Sequence, residues 1–208
     1  MQAKASPVKQ ETDRTFTESA RRAQIVNAAI EVIAEVGLAK ASFAKIAKQA
    51  GLSSTGMISY HFQGKDDLIQ AVAAEIMRVS AEFVTGKLAA ESGFRGRLRG
   101  YFAANLALLD EYPRHLRALS TLVANVRSDD PSMYGLVDQL GAITHAQIEI
   151  FRAGQRAGEF REFDPAVMVM ATRGALDAAI ARAGADPAFD TAACAHELAE
   201  LFDHATRK

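Results

Sequence analysis

The chain has 208 residues, is 49% hydrophobic and carries a formal net charge of −1, which is enough apolar material to bury a core in one unit or two. A single cysteine, Cys194, excludes an intramolecular disulfide framework and favours a reducing compartment, and no apolar run is long enough to span a bilayer, so a cytoplasmic chain without a membrane partner is expected. The near-neutral total hides an asymmetry: residues 1–65 hold 9 Lys and Arg against 5 Asp and Glu, a balance of +4, and residues 66–208 hold 15 against 20, a balance of −5.

In chain order, residues 1–14 are polar, contain Pro7 and lack a periodic apolar face, and so read as a flexible arm. Ile25, Ala28, Ala29, Val32, Ile33 and Val36 then form a helical stripe that Gly37 ends. The next stretch, Ser42–Phe62, carries the most specific pattern. Phe43, Ile46, Ala47 and Ala50 share one helical face behind Ser42, which is placed to cap them, and Gly51 stops that helix. Ser53 and Ser54 are placed to cap a second short helix that presents Thr55, Gly56, Ser59, Tyr60 and His61 while Met57, Ile58 and Phe62 pack inward. Two short helices joined by a tight turn, the second bearing small and hydroxylated residues, suit close approach to base edges and phosphates.

These residues carry a resemblance. Arg22–Gly37, Phe43–Ala50, Thr55–Phe62 and Lys65–Ala71 resemble the first, second, recognition and fourth helices of the DNA-binding region of TetR-family transcriptional regulators, and Gly56–Phe62 is particularly similar to betaine-inhibitor-like members. The turn Gly51–Gly56 is a residue longer than the common family form. The resemblance implies a helix-turn-helix domain over 15–64, operator DNA as partner, and phosphate contacts from Tyr60, His61 and Lys65. Lys65 also follows Gly64 at a helix start, where unpaired N–H groups suit an anion. With Ser42, Lys45, Ser53, Ser54, Thr55, Gly56 and Ser59 these form the candidate DNA-binding set, and Lys4, Lys9 and Arg14 of the arm are placed either to brush a minor groove or simply to stay solvated.

Beyond Lys65 the periodicity stays helical, so the chain reads as all-α, with about nine helices in the order of the family. A long helix carrying Leu68, Ile69, Val72, Ile76, Val79 and Phe83 breaks near Gly86. Others follow over Phe94–Glu111, from Pro113 to a turn at Asp129-Asp130-Pro131, over Ser132–Ala157, from Asp164-Pro165 to about Ala183, and through His204. Residues 65–208 are thereby read as an effector-binding and dimerisation domain. Polar residues on apolar faces, Asn105, Thr121, Asn125, His145, Arg173 and Asp177, with the aromatics Tyr101, Phe102 and Phe151, are the candidate effector lining. Each polar residue also fits a satisfied or surface role, and Arg173 with Asp177 fits a plain i,i+4 pair.

One short recognition helix reads too few base pairs for useful specificity, so a homodimer is expected. The small residues Ala171, Gly174, Ala175 and Ala178, with Leu198, Leu201 and Phe202, mark the candidate interface, although the same face also suits packing within the chain. Enzyme readings find little. His196-Glu197-Leu198-Ala199-Glu200 has a glutamate where a zinc-hydrolase helix has its second histidine, and no phosphate loop, nucleophile elbow or paired-cysteine motif occurs, so neither catalytic residues, metal nor cofactor is expected. The chain reads as a DNA-binding transcriptional regulator, a repressor released by a small molecule. The alternatives are a ligand-binding helical sensor or carrier without useful DNA affinity, and a ligand-dependent activator.

Overall fold

The computed structural model describes the backbone of residues 8–125 and 134–208 and the side chains of 17–125 and 137–208. Lys4 and the turn at Asp129-Asp130-Pro131 lie outside the described residues, as do the side chains of Lys9 and Arg14. Nine α-helices occur among the described residues: α1 (Val8–Val36), α2 (Phe43–Gln49), α3 (Gly56–His61), α4 (Lys65–Leu88), α5 (Gly93–Glu111), α6 (Pro113–Ala124), α7 (Tyr134–Arg156), α8 (Pro165–Ala185) and α9 (Thr191–Thr206). No strand occurs among them. α1 begins inside the stretch read as an arm, and α4 continues past Gly86, whose place on the helix has open space around it and requires no break.

The chain divides into two compact units, Met1–Glu75 with Arg117–Met133, and Ile76–Leu116 with Tyr134–Lys208. The division falls within α4 and within α6, whereas the sequence pattern places the boundary at the helix start after Gly64. In the first unit α1 packs on α2, burying Ile25, Ala29, Ile30 and Ile33 on one side and Ile46 and Ala47 on the other. Each of these buried isoleucines contributes on the order of 1.5–3 kcal/mol, and each alanine less. Ile58 of α3 and Phe62 just beyond it are also buried, and Leu68, Ile69 and Val72 of α4 complete the core of small helices.

In the second unit α5 and α9 make the most extensive helix pair, and α7, α8 and α9 pack around α5. Leu98, Phe102, Phe151, Phe160, Val169, Ala199 and Phe202 form one buried cluster, with Phe102 and Phe202 stacked at 5.2 Å between ring centres. Leu106, Leu176, Ala179 and Ala195 form a neighbouring one. A half-buried ion pair fastens the two central helices: Arg95 of α5 grips the buried Asp203 of α9 through two bonds, Nε to Oδ1 at 2.8 Å and Nη2 to Oδ2 at 2.7 Å. The guanidinium hydrogen bond, helped by the charges of Arg95 and Arg99, outweighs burial and holds the Asp203 carboxyl below its usual range.

The turn after α7 is a second fastening. Its Glu159 carboxylate accepts from the Phe94 N–H at 2.7 Å and the Arg95 N–H at 3.2 Å, capping α5 from a distant segment where Ser92 makes no side-chain cap of its own. Gly93 carries φ +70°, which favours glycine, and a Cβ there would stand 2.8 Å from Glu159 Oε2 and push that carboxylate off its cap. Arg161 N–H donates to the Thr206 carbonyl at 2.9 Å and Arg161 Nε to the Ala205 carbonyl at 2.7 Å, tying the turn to the end of α9. Asp164 caps α8 through the Ala166 and Val167 N–H groups ahead of Pro165, as the Asp-Pro pair implied.

Candidate nucleic-acid interface and ligand cavity

In the first unit the local sequence builds a helix-turn-helix. Ser42 Oγ accepts from the Lys45 N–H at 3.4 Å at the start of α2, and the Gln24 amide of α1 donates to the Ala50 carbonyl at 2.6 Å at its end. Gly51 turns the chain with φ +64°. The cap of α3 is Thr55 rather than Ser53 or Ser54, and no side chain accepts there, because Thr55 already holds a right-handed helical conformation, which turns its hydroxyl away from the following N–H groups. α3 therefore starts at Gly56.

Burial of Ile58 and Phe62 fixes which side of α3 faces out: Ser53, Ser54, Thr55, Gly56, Ser59 and Tyr60 are exposed, Met57 is partly covered and His61 half-buried. Tyr60 is 71% exposed, with its hydroxyl donating to Glu18 Oε1 at 3.2 Å and its ring edge-on to His61 at 5.0 Å. Ser42 and Lys45 are exposed as well. Lys65 Nζ donates to the Leu38 carbonyl at 3.1 Å, so its ammonium is held at the surface beside the short 3-10 turn Leu38–Lys40. The start of α4 is less open to an anion than Gly64 suggested, because Asp66 and Asp67 occupy its first turn and Asp67 Oδ2 accepts from the Gln63 N–H at 2.9 Å. Arg22 stacks over the Phe62 ring at 4.6 Å and lies 3.9 Å from Asp67.

The second unit carries a half-open cavity of about 450 Å³, inside the range of about 300–1,000 Å³ usual for small-molecule sites. Leu88 near the end of α4, Leu98 of α5, Ile150 and Phe151 of α7 and Phe160 of the turn make its apolar walls. Its polar groups are few. Gln147 Nε2 donates to the Tyr101 hydroxyl at 2.9 Å, Thr172 Oγ1 is occupied by the Met168 and Val169 carbonyls at 3.0 Å, and Arg97 is exposed at the edge.

Of the nine effector candidates, the cavity gathers Tyr101 and Phe151. Phe102 is fully buried against Phe202 instead, and the Asn105 amide donates to the Tyr101 carbonyl of its own helix at 2.8 Å. Thr121 and Asn125 belong to the first unit and are satisfied by the Arg117 and Thr121 carbonyls one turn back. His145 is exposed, and Arg173 pairs with Asp177 at 3.0 Å along the surface of α8. Phe94, Arg97, Leu98, Gln147 and Phe160 went unrecognised; the one available signal was the unusual Gly-Glu-Phe turn after α7.

The interface candidates separate likewise. Ala171, Gly174 and Ala178 are exposed on α8 beside Val167 and Met170, and Leu201 of α9 is 60% exposed. Phe202 belongs to the intrachain core, and Ala175 and Leu198 pack against it, half a helical turn from the exposed stripe. A Cβ on Gly174 would meet nothing within 4 Å. His196 and Glu200 border an open groove of about 530 Å³ between α5 and α9, where Glu200 pairs with Arg99 at 2.9 Å. Among the described residues no group of three His, Cys, Asp or Glu is placed to hold a metal, and no helix is long and apolar enough to cross a membrane.

Residues 25–72 match the family model described as bacterial regulatory proteins, tetR family. The HTH-type transcriptional regulator BetI of Vibrio parahaemolyticus is 44% identical over 70 residues, 34% of this chain and 35% of that protein, so the match spans about a third of the relative's length. A putative transcriptional regulator from Saccharomonospora viridis, solved in complex with choline, superposes with a TM-score of 0.79 at 18% identity over 91% of this chain and 99% of that one. The regulator FadR of Bacillus subtilis, solved with stearoyl-CoA, superposes with a TM-score of 0.73 at 24% identity over 86% of this chain and 95% of that one.

Proposed function

We propose that this chain, a TetR-family regulator by its N-terminal domain, is a homodimeric repressor that binds an operator through α3 and leaves it when a small molecule fills the cavity of the second unit. The observation that carries the reading is the exposed face Thr55, Gly56, Ser59 and Tyr60, backed by buried Ile58 and Phe62, in a chain that also holds an apolar cavity of ligand size. Thr55 and Ser59 present hydroxyls to base edges, whereas Lys65, Tyr60 and His61 contact phosphates and set the register. The matched relative is itself named a transcriptional regulator, and two fold neighbours are regulators solved with small molecules. None of these is an enzyme by its name, which supports a non-catalytic role.

The exposed apolar residues Val167 and Met170, on the same helix as the bare Gly174, and Leu201 of α9 support dimerisation, since a second copy would cover them. Two α3 helices then read two half-sites. An effector that prefers the non-binding state must be bound less tightly by the operator-bound dimer, by the same factor. A full switch needs about 5.5 kcal/mol of differential binding, shared between two symmetric sites.

The deciding experiment enriches binding sites from random duplex DNA. A palindromic motif whose binding weakens steeply with salt supports the reading, and recovery of no motif overturns it in favour of a sensor acting through protein partners. A reporter assay then distinguishes repression from activation.

A further inference from the structure

We propose that the cavity takes an amphiphile with one anionic head, a carboxylate on an unbranched apolar tail, with the head at Arg97 and Tyr101 and the tail among Leu88, Leu98, Phe151 and Phe160. This rests on reading the cavity as the effector site and adds the chemical class of the ligand.

Charge is the first argument. α5 carries three arginines at alternate positions, and two are committed: Arg95 to Asp203 and Arg99 to Glu200. Arg97 borders the cavity, and its side chain makes no ion pair or hydrogen bond among the described residues. Among the described residues it is the single charged one in the lining, which there contains no Asp or Glu. A cationic ligand would meet a guanidinium and no counter-charge, whereas an anion would complete Arg97. Because Arg97 is exposed, the head group keeps part of its hydration and avoids the full cost of burying a charge.

The hydrogen-bond inventory agrees. Tyr101 lies one helical turn beyond Arg97, and its hydroxyl oxygen already accepts from Gln147. Its own proton therefore remains to be donated, so Arg97 and Tyr101 offer two donors to an acceptor between them.

Size is the third argument. At about 30 Å³ per water-sized group, the cavity holds on the order of fifteen non-hydrogen atoms. Apart from Arg97, Tyr101, Gln147 and the hydroxyls of Thr85 and Thr172 its lining is hydrocarbon, which a linear tail fills and a small polar solute does not.

The test titrates the full-length chain with dodecanoate, dodecanol and dodecyltrimethylammonium, three heads on one tail, below micelle formation and with heat as the readout. Dodecanoate should bind roughly tenfold more tightly than dodecanol, the low end for a charge-assisted bond at a partly exposed site, and the ammonium most weakly. Arg97→Gln should bring dodecanoate to the level of dodecanol and leave dodecanol unchanged. Ile150→Trp, on the exposed edge, should weaken all three by crowding the tail. Equal or tighter binding of the ammonium, an unchanged head preference in Arg97→Gln, or no binding of dodecanoate overturns the proposal. Operator release measured with the same ligands keeps the two readings apart. Tight dodecanoate binding without release leaves the ligand class standing and overturns the effector role, whereas release by the ammonium alone does the reverse.

Discussion

Replacing Arg95 by Met should destabilise the second unit more than replacing Asp203 by Asn, although both changes break the same ion pair. Asp203 is 1% exposed and receives two short bonds from Arg95, whereas the Arg95 side chain is 42% exposed. Removing arginine strands a buried carboxylate. Breaking a buried pair costs about 3–5 kcal/mol, and the nearby charge of Arg99 at 3.7 Å together with partial solvation lowers this to about 2–3 kcal/mol here. Removing the carboxylate charge leaves an arginine that can turn to water, at a cost of about 1–2 kcal/mol. The double variant Arg95→Met with Asp203→Leu should cost less than the sum of the two single changes, because neither stranded group remains.

The pH dependence carries a sign. The folded-state pKa of Asp203 is lowered by Arg95, so the pair contributes fully above the unfolded carboxylate value of about 3.9 and its contribution fades as pH falls through the lowered folded value. In Arg95→Met burial acts with less opposition and favours the protonated acid, so the penalty relaxes at a higher pH and the gap to the wild type should narrow steadily from pH 7 toward acid. Urea unfolding followed by far-UV circular dichroism, at fixed protomer concentration, measures both effects. A Met variant within about 0.5 kcal/mol of the wild type, or a gap that does not change with pH, would refute the reasoning.

Three further outcomes concern DNA and assembly. Lys65→Ala should weaken binding to all duplexes alike and flatten the dependence of log affinity on log salt by about 1 per contact, about 2 per dimer; an unchanged slope removes Lys65, now held by the Leu38 carbonyl, from the interface. Thr55→Ala or Ser59→Ala should relax preference at one symmetric pair of operator positions, by less than the roughly 1–3 kcal/mol of a bidentate contact; identical enriched motifs for wild type and variants would show that α3 does not read bases. Gly174→Leu meets open space within one chain, so the protomer should fold while the dimer loses about 1–3 kcal/mol to overpacking; sedimentation showing an intact dimer at low concentration would place the contact elsewhere.

What could be read from the sequence was local. Ser42, Gly51 and Asp164-Pro165 act through neighbours a few residues away, and each stands in the structure as its chemistry implies. The cavity was not local. Its edge and floor join Arg97, Gln147 and Phe160, and the polarity of a helix position says nothing about which distant segment faces it. Thr121 and Asn125 show how polar residues on apolar stripes can be satisfied locally: each bonds a carbonyl of its own helix. Leu198, Leu201 and Phe202 lie close in sequence, yet Leu201 is exposed while Phe202 is core, because helix packing sorts side chains by degrees of rotation that a residue count does not resolve.

Phe160 has a further consequence for how such a cavity can diversify. Its ring lies so close over Gly154 that a Cβ there would stand 2.3 Å from it, and its backbone N–H donates to the Gly154 carbonyl at 3.2 Å. The residue next to it is tied to the end of α9. One wall of the cavity is therefore also a structural joint, and a lineage that altered ligand preference by substituting position 160 or 154 would loosen the fold at the same stroke. Arg97 and Ile150 carry no such second duty, since both are exposed at the cavity edge and neither makes a hydrogen bond or ion pair through its side chain among the described residues. Changes of specificity among near relatives should accumulate at these edge positions first, with Gly154 and Phe160 exchanged only together.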